Sequence, residues 1–149
     1  MEAQTDFSEL LGLFNAHGVE YLVVGAYALA FHGVPRYTGD LDLWIRPDGV
    51  NGVRVLAALE AFGFGGVGVT LDDLSREECV VQLGYPPVRV DLITSLTGLT
   101  WETAYRDRVA GHYGAVPVSY LGREALVANK QALGRLKDRA DLEALGEGG

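Results

Sequence analysis

A chain of 149 residues that is 48% hydrophobic and 21% charged, with 12 Lys and Arg against 20 Asp and Glu, has the size and composition of one globular domain. Disorder would need low hydrophobicity beside high charge, and roughly two-thirds of the unfolded surface of a chain this long is buried on folding. Twenty glycines without heptads exclude a coiled coil. The longest apolar run, Tyr21 to Phe31, has 11 residues and contains Gly25, whereas a spanning helix needs roughly 20. The opening MEAQTDF has neither the basic region nor the apolar segment of a signal peptide, so a cytoplasmic protein without membrane association is expected. Cys79 is the sole cysteine, which excludes an internal disulfide and a multi-cysteine zinc site and reads as a small buried hydrophobe. The net charge of −8 argues against coating nucleic acid, which needs clustered Lys and Arg. Residues 1–35 hold four acids and no Lys or Arg, so all basic charge begins at Arg36.

The spacing of Asp6 and Glu9 predicts a capped helix with Phe7, Leu10, Leu11 and Phe14 on one face, stopped by Gly18. Glu20 to Val24 reads as a strand, Gly25 as a turn, and Ala26 to Phe31 as a helix opening directly from it. Gly33 and Pro35 break that helix, and residues 36–39 lead into Asp40 to Ile45. That strand alternates, with Leu41, Leu43 and Ile45 on one face and Asp40, Asp42 and Trp44 on the other, taken as exposed. Pro47 and Asp48 start a helix carrying Val53, Leu56 and Leu59, ended by Gly63. Residues 62–68 read as loop and 72–78 as loop with a short helix. Cys79 to Leu83 and Val88 to Ile93 form a hairpin-like pair, with Asp91 opposite the face of Val88, Val90 and Leu92. Trp101 to Arg108 is predicted helical and Val116 to Tyr120 a strand. Two short helices, Arg123 to Leu133 and Leu136 to Leu145, flank Gly134, and the last four residues fray. The expectation is a single α+β (mixed α/β) domain over 1–149, with a small mixed sheet in a core of about 1–120 and a helical tail of about 121–145.

The chemistry concentrates on three acids. Asp40 and Asp42 point the same way, about 6 to 7 Å apart along their strand, and Asp91 joins them if its strand is a neighbour. Carboxylates so placed repel one another and must take up protons or hold a cation. All-oxygen ligands without His or Cys suit a hard ion, Mg²⁺ or Mn²⁺. Upstream, Val23-Val24-Gly25-Ala26 puts glycine where a strand turns into a helix N-terminus, whose free N–H groups suit a phosphate. A phosphate cradle ahead of a metal-binding acid pair describes a nucleoside triphosphate held by its phosphates.

These residues resemble the nucleotidyltransferases of the DNA polymerase beta-like superfamily, specifically the small bacterial group with AbiEii-like toxins and minimal nucleotidyltransferases. The family pattern is a hydrophobic residue, Gly, then Gly or Ser, a spacer, Asp-x-Asp or Asp-x-Glu, and a later carboxylate. Here it reads Val24-Gly25-Ala26, thirteen residues, Asp40-Leu41-Asp42, and Asp91 within Arg89-Val90-Asp91-Leu92. The stretch from Gly25 to Ile45 looks like the family's core, and Lys130 with Gly134 to Leu142 like its helical tail. Ala26 departs from the pattern: it keeps its N–H but lacks the hydroxyl of a phosphate-contacting Ser. The resemblance implies a nucleotidyltransferase fold in which Asp40 and Asp42 bind two metals and Asp91 one, with a nucleoside monophosphate passing from an NTP to a hydroxyl. It further implies that Arg36 and Thr38 reach the β- and γ-phosphates and that Lys130 contacts phosphate. Small relatives act in toxin–antitoxin pairs, on a tRNA end or a partner protein, and others modify small molecules; the acidic surface favours a protein acceptor.

The remaining residues have plainer readings. Lys137 and Asp138 are expected to pair at a helix end, His32 to pack or cap, and Trp44 to pack. His17 and His112 show no ligand spacing, and Tyr27, Tyr37 and Tyr85 are uncommitted. A competing function keeps the fold as a binding module without turnover, an antitoxin or nucleotide sensor, which the loss of the hydroxyl at Ala26 supports and the three acids oppose. A metal-dependent phosphohydrolase is disfavoured because no histidine lies near the acids.

Overall fold

In the computed structural model, which describes residues 4–35, 39–65, 68–85 and 87–147, the acids lie in the middle of a mixed sheet. Its strands are β1 (Tyr21–Val24), β2 (Asp40–Ile45), β3 (Val80–Tyr85), β4 (Val88–Ile93), β5 (Val109–Tyr113) and β6 (Val116–Tyr120), ordered β3-β4-β2-β1-β6-β5. β2 pairs in parallel with β4 and antiparallel with β1, and β1 pairs in parallel with β6. The helices are α1 (Thr5–Ala16), α2 (Gly25–Phe31), α3 (Gly49–Phe62), α4 (Leu71–Ser75), α5 (Trp101–Arg106), α6 (Arg123–Leu133) and α7 (Leu136–Ala144). The α+β class read from the sequence is the class observed. No described helix is long and apolar enough to cross a membrane.

Both faces of the sheet are covered. One core joins Phe7, Leu10, Leu11 and Phe14 of α1 and Val55, Ala58 and Leu59 of α3 to Leu41, Leu43 and Ile45 of β2. A second, on the face that carries the acids, joins Leu22, Val24 and Trp44 to Trp101 of α5, Leu121, and Leu126 of α6. The expected exposed face of β2 is therefore buried beyond the acids: Trp44 is 1% exposed and meets Trp101 edge-on at 5.3 Å. Alternation identifies two faces but not whether helices cover both.

Several local expectations are corrected. α1 is capped by the Gln4 side chain rather than by Asp6. The buried stripe of α3 is Asn51, Gly52, Val55, Ala58 and Leu59, while Val53 is exposed. Gly52 packs beneath the start of α4, where a Cβ would lie 2.7 Å from Leu71 Cδ1. β3 runs on to Tyr85, paired with Val88, so the hairpin connection is shorter than expected. β5 was not expected at all; its Val-Ala-Gly-His-Tyr run lacks apolar alternation and is held by antiparallel pairing to β6.

The tail folds back at Gly134, which adopts a left-handed φ of +62°. Inside this elbow, Lys130 Nζ lies 3.0 Å from Asp141 and 3.4 Å from Asp138, both carboxylates being fully buried. The Arg135 side chain and backbone N–H also donate to Asp138. Hydrogen bonding from Arg135, working against burial, draws the Asp138 carboxyl down to about 2. Asp138 thus pairs with Arg135 and Lys130, not with Lys137 as expected.

Removing one partner of a buried ion cluster leaves the other charge uncompensated, so Asp138→Ala is expected to lower stability by about 3 kcal/mol in urea denaturation at pH 7. Because its folded pKa is depressed, the Asp138 contribution is present above the ordinary carboxylate range and fades as pH falls toward 2.

Candidate active site

The acids gather where β1 and β6 end and β2 and β4 begin. Pairing of β2 with β4 sets Asp42 opposite Asp91 and Asp40 opposite Arg89, with side chains of paired residues on one face. The sequence reading that Asp91 joins the Asp40-x-Asp42 pair holds at the level of strand register. Asp91 is 9% exposed, and Asp42 is partly buried.

Arg89, which the sequence reading did not single out, lies among these carboxylates. Its Nε and Nη2 donate to the two Asp91 oxygens, each at 3.1 Å, and Nε lies 3.9 Å from Asp40 Oδ1. The clue was present in Arg89-Val90-Asp91, where a spacing of two puts cation and acid on the same strand face. With Asp91 turned to Arg89, no three acidic, histidine or cysteine side chains among the described residues converge as a ready-made ion cage. The donors' chemistry and register nonetheless suit a hard divalent cation: carboxylates only, neighbouring on adjacent strands, already drawing a cationic group between them.

Asp42 bears the strain of the cluster. Burial first, then the charges of Asp91 and Asp40, push its carboxyl up to about 6, partly offset by Arg89 and Lys137. Lys137, exposed in the first turn of α7, contributes to that offset through its positive charge.

Gly25 is explained by the same carboxylate. β1 pairs Val24 with Asp42, the chain turns into α2 with Gly25 at φ +65°, and a Cβ at Gly25 would collide with Asp42 Oδ2. Only glycine meets both conditions. No side chain among the described residues caps α2, whose second residue is Ala26.

Other candidates fall elsewhere. Lys130, expected at phosphate, lies in the elbow with Asp138 and Asp141. Arg36 and Thr38 lie outside the described residues, as does Tyr37. His32 donates through Nε2 to the Leu121 carbonyl at 2.8 Å, in keeping with the packing role expected for it. Trp44 is core.

No family model matches the chain, and no curated protein matches it. Among solved structures, a provisionally assigned nucleotidyltransferase from Thermotoga maritima is similar, with a TM-score of 0.58 and 16% identity over 95% of this chain and 88% of that one. Likeness at this identity speaks for the fold, and the chain has a nucleotidyltransferase-like fold.

A raised carboxylate destabilises the fold once ionised: the effect is absent below the ordinary carboxylate range, grows as pH rises through about 6, and is full above it. Asp42→Asn is accordingly expected to stabilise the metal-free protein by about 2 kcal/mol at pH 8, and by nothing at pH 4, in denaturant titrations at the two pH values. A loss of stability at pH 8 would make Asp42 a structural residue.

Proposed function

We propose that this chain is a metal-dependent nucleotidyltransferase, moving a nucleoside monophosphate from an NTP to a hydroxyl acceptor. The observation that carries the proposal is the in-register set of Asp40, Asp42 and Asp91, a charge arrangement that burdens the fold and is relieved by a cation. Asp40 and Asp42 would hold Mg²⁺ or Mn²⁺, with Asp91 completing the set once it leaves Arg89. Bound there, the metal would polarise the phosphates and lower the barrier to an in-line displacement at the α-phosphorus.

The protein's own groups supply the rest. Gly25 lets the chain approach the site closely, and the N–H groups after Ala26 offer donors to a phosphate oxygen. A bond forms between the acceptor oxygen and the α-phosphorus, the bond to the β-phosphate oxygen breaks, and pyrophosphate leaves. Asp91 would face the acceptor hydroxyl and favour loss of its proton. Arg36 and Thr38 remain assigned to the β- and γ-phosphates. Lys130 serves in this account by fixing α7, and any contact of its own with phosphate requires it to leave Asp138 and Asp141.

The acceptor proposed is a hydroxyl on a partner protein, as in a toxin–antitoxin pair, with a tRNA end or a small molecule less in keeping with the charge of −8. The AbiEii-like subgroup and a cytoplasmic setting belong to the same proposal. A second reading has one observation in its favour: Arg89 closes on Asp91 with two of its guanidinium nitrogens, which suits a binding module, an antitoxin or nucleotide sensor, that no longer turns over.

Incubation with Mg²⁺ and each α-labelled NTP, with and without cell extract, separates the two. The enzyme is expected to release pyrophosphate and label an acceptor, and Asp42→Asn to reduce the rate at least 100-fold, on the scale set by losing a metal's charge stabilisation of several kcal/mol. Binding of Mg-NTP without transfer would favour the module, and absence of binding would overturn both.

A further inference from the structure

Arg89 is a cation that closes on acids of the candidate site, and its hold is a fork: Nε and Nη2 each lie 3.1 Å from an Asp91 oxygen, with Nε also 3.9 Å from Asp40 Oδ1. We infer that Arg89 is a phosphate-binding residue held in reserve on Asp91. When a divalent cation and the NTP bind, its guanidinium passes from that carboxylate to the triphosphate, so that metal and nucleotide favour each other's binding. This rests on the nucleotidyltransferase reading and adds to it a coupling between the two ligands.

The exchange follows from the chemistry of the pair. A guanidinium is a planar fork whose N–H donors fit a carboxylate and a phosphate alike. It does not lose its proton in a protein, so it cannot yield Asp91 by becoming neutral. Both Asp91 oxygens are engaged by the fork, and Asp91 becomes a ligand only when the fork lets go. A released guanidinium beside a divalent ion has lost its anion and is repelled by the ion, which opposes binding of metal alone. A triphosphate removes that opposition, because it brings anionic oxygens with the metal. Coupling of this kind is reciprocal, so metal strengthens nucleotide binding by the same factor.

The backbone keeps Arg89 beside the place the phosphates would take. Pairing of β2 with β4 sets Arg89 opposite Asp40, on the face of the acids. Under the proposed function Asp40 and Asp42 hold the cation that carries the phosphates, and Arg89 Nε already approaches the Asp40 carboxylate. On its other side Arg89 is paired with Gly84 of β3. A φ of +75° and a collision of any Cβ with the Val88 carbonyl oxygen require glycine there, so no side chain at that position confines the guanidinium. The Arg89 side chain is 30% exposed against 13% for Asp91, which makes the cation the more accessible partner of the two. Lys130 and Arg135, which also pair with buried carboxylates, are committed to the elbow.

The test measures two affinities by titration calorimetry, for Mn²⁺ alone and for the Mg²⁺ complex of an ATP analogue with a methylene bridge between its α- and β-phosphorus. Wild type is compared with Arg89→Gln and Arg89→Lys, each first shown to unfold near the wild-type temperature. Arg89→Gln is expected to move the affinities in opposite directions, with Mn²⁺ bound at least tenfold more tightly than by wild type and the analogue at least tenfold more weakly. Arg89→Lys, which keeps the charge and loses the fork, should lie between the two for the analogue. A loss of both affinities in Arg89→Gln would show that Arg89 only orients Asp91, a gain in both that it only blocks the site, and no change that it has no part; each overturns the exchange. A measurement on wild type alone stands beside these: the Arg89 Nε–H signal in NMR should shift when the Mg-analogue is added, and a signal that does not move overturns the exchange as well. All of those outcomes leave the nucleotidyltransferase reading intact, since wild type binds both ligands. Wild type that binds neither overturns that reading and the inference with it.

Discussion

Electrostatic repulsion among three carboxylates at one end of the sheet is the constraint around which this molecule is arranged. Parallel pairing of β2 with β4 forces Asp42 and Asp91 into adjacent positions on one face, and strand geometry puts Asp40 two residues away on the same side. Burial of Asp42 makes the repulsion stronger than it would be in water. The fold accommodates it with Arg89, which grips Asp91 and approaches Asp40 from the neighbouring strand. It also demands a glycine at the end of β1, because α2 must start against the Asp42 carboxylate. An acid cluster that burdens its own fold is the pattern of a site kept for a ligand, since stability alone would replace it.

The tail supplies a second layer of charge. Lys130, Asp138, Asp141 and Arg135 neutralise one another in and around the elbow between α6 and α7. They hold α7 against α6, and the charge of Lys137 in the first turn of α7 works against the rise at Asp42. The chain's two lysines sit in different settings, Lys130 inside the elbow and Lys137 exposed in the first turn of α7. The overall charge of −8 is compatible with this local balance, and under the proposed function it bears on the acceptor more than on the donor.

Much of this was legible in the sequence because it depends on period and neighbour. The alternation in Asp40 to Ile45 gave the acids a common face, and glycine after a β-prone run marked the strand-to-helix turn. What was not legible depends on tertiary partners. Trp44 was expected to pack and does, but nothing in β2 reveals that α5 is what covers its face. Lys137 and Asp138 looked like a pair by proximity in sequence, but adjacent helical residues do not face one another, and Asp138 points inward to Lys130 instead. The stripe of α3 includes Gly52, packed against Leu71 of α4, a relation between two helices that the periodicity of one cannot contain. Arg89 was visible at the right spacing, yet only the register of β2 against β4 shows that it also reaches Asp40.

The central claim is that the acid cluster is a divalent-cation site, and it is tested most directly by thermal unfolding with increasing Mg²⁺ or Mn²⁺ at pH 7.5. A ligand that binds only the folded state raises its melting temperature in proportion to the logarithm of concentration once above its dissociation constant. The wild-type chain is predicted to show that rise and Asp42→Asn to lack it, so that the variant, more stable without metal, loses its advantage as metal is added. Equal responses in the two proteins, or none in either, would contradict the account.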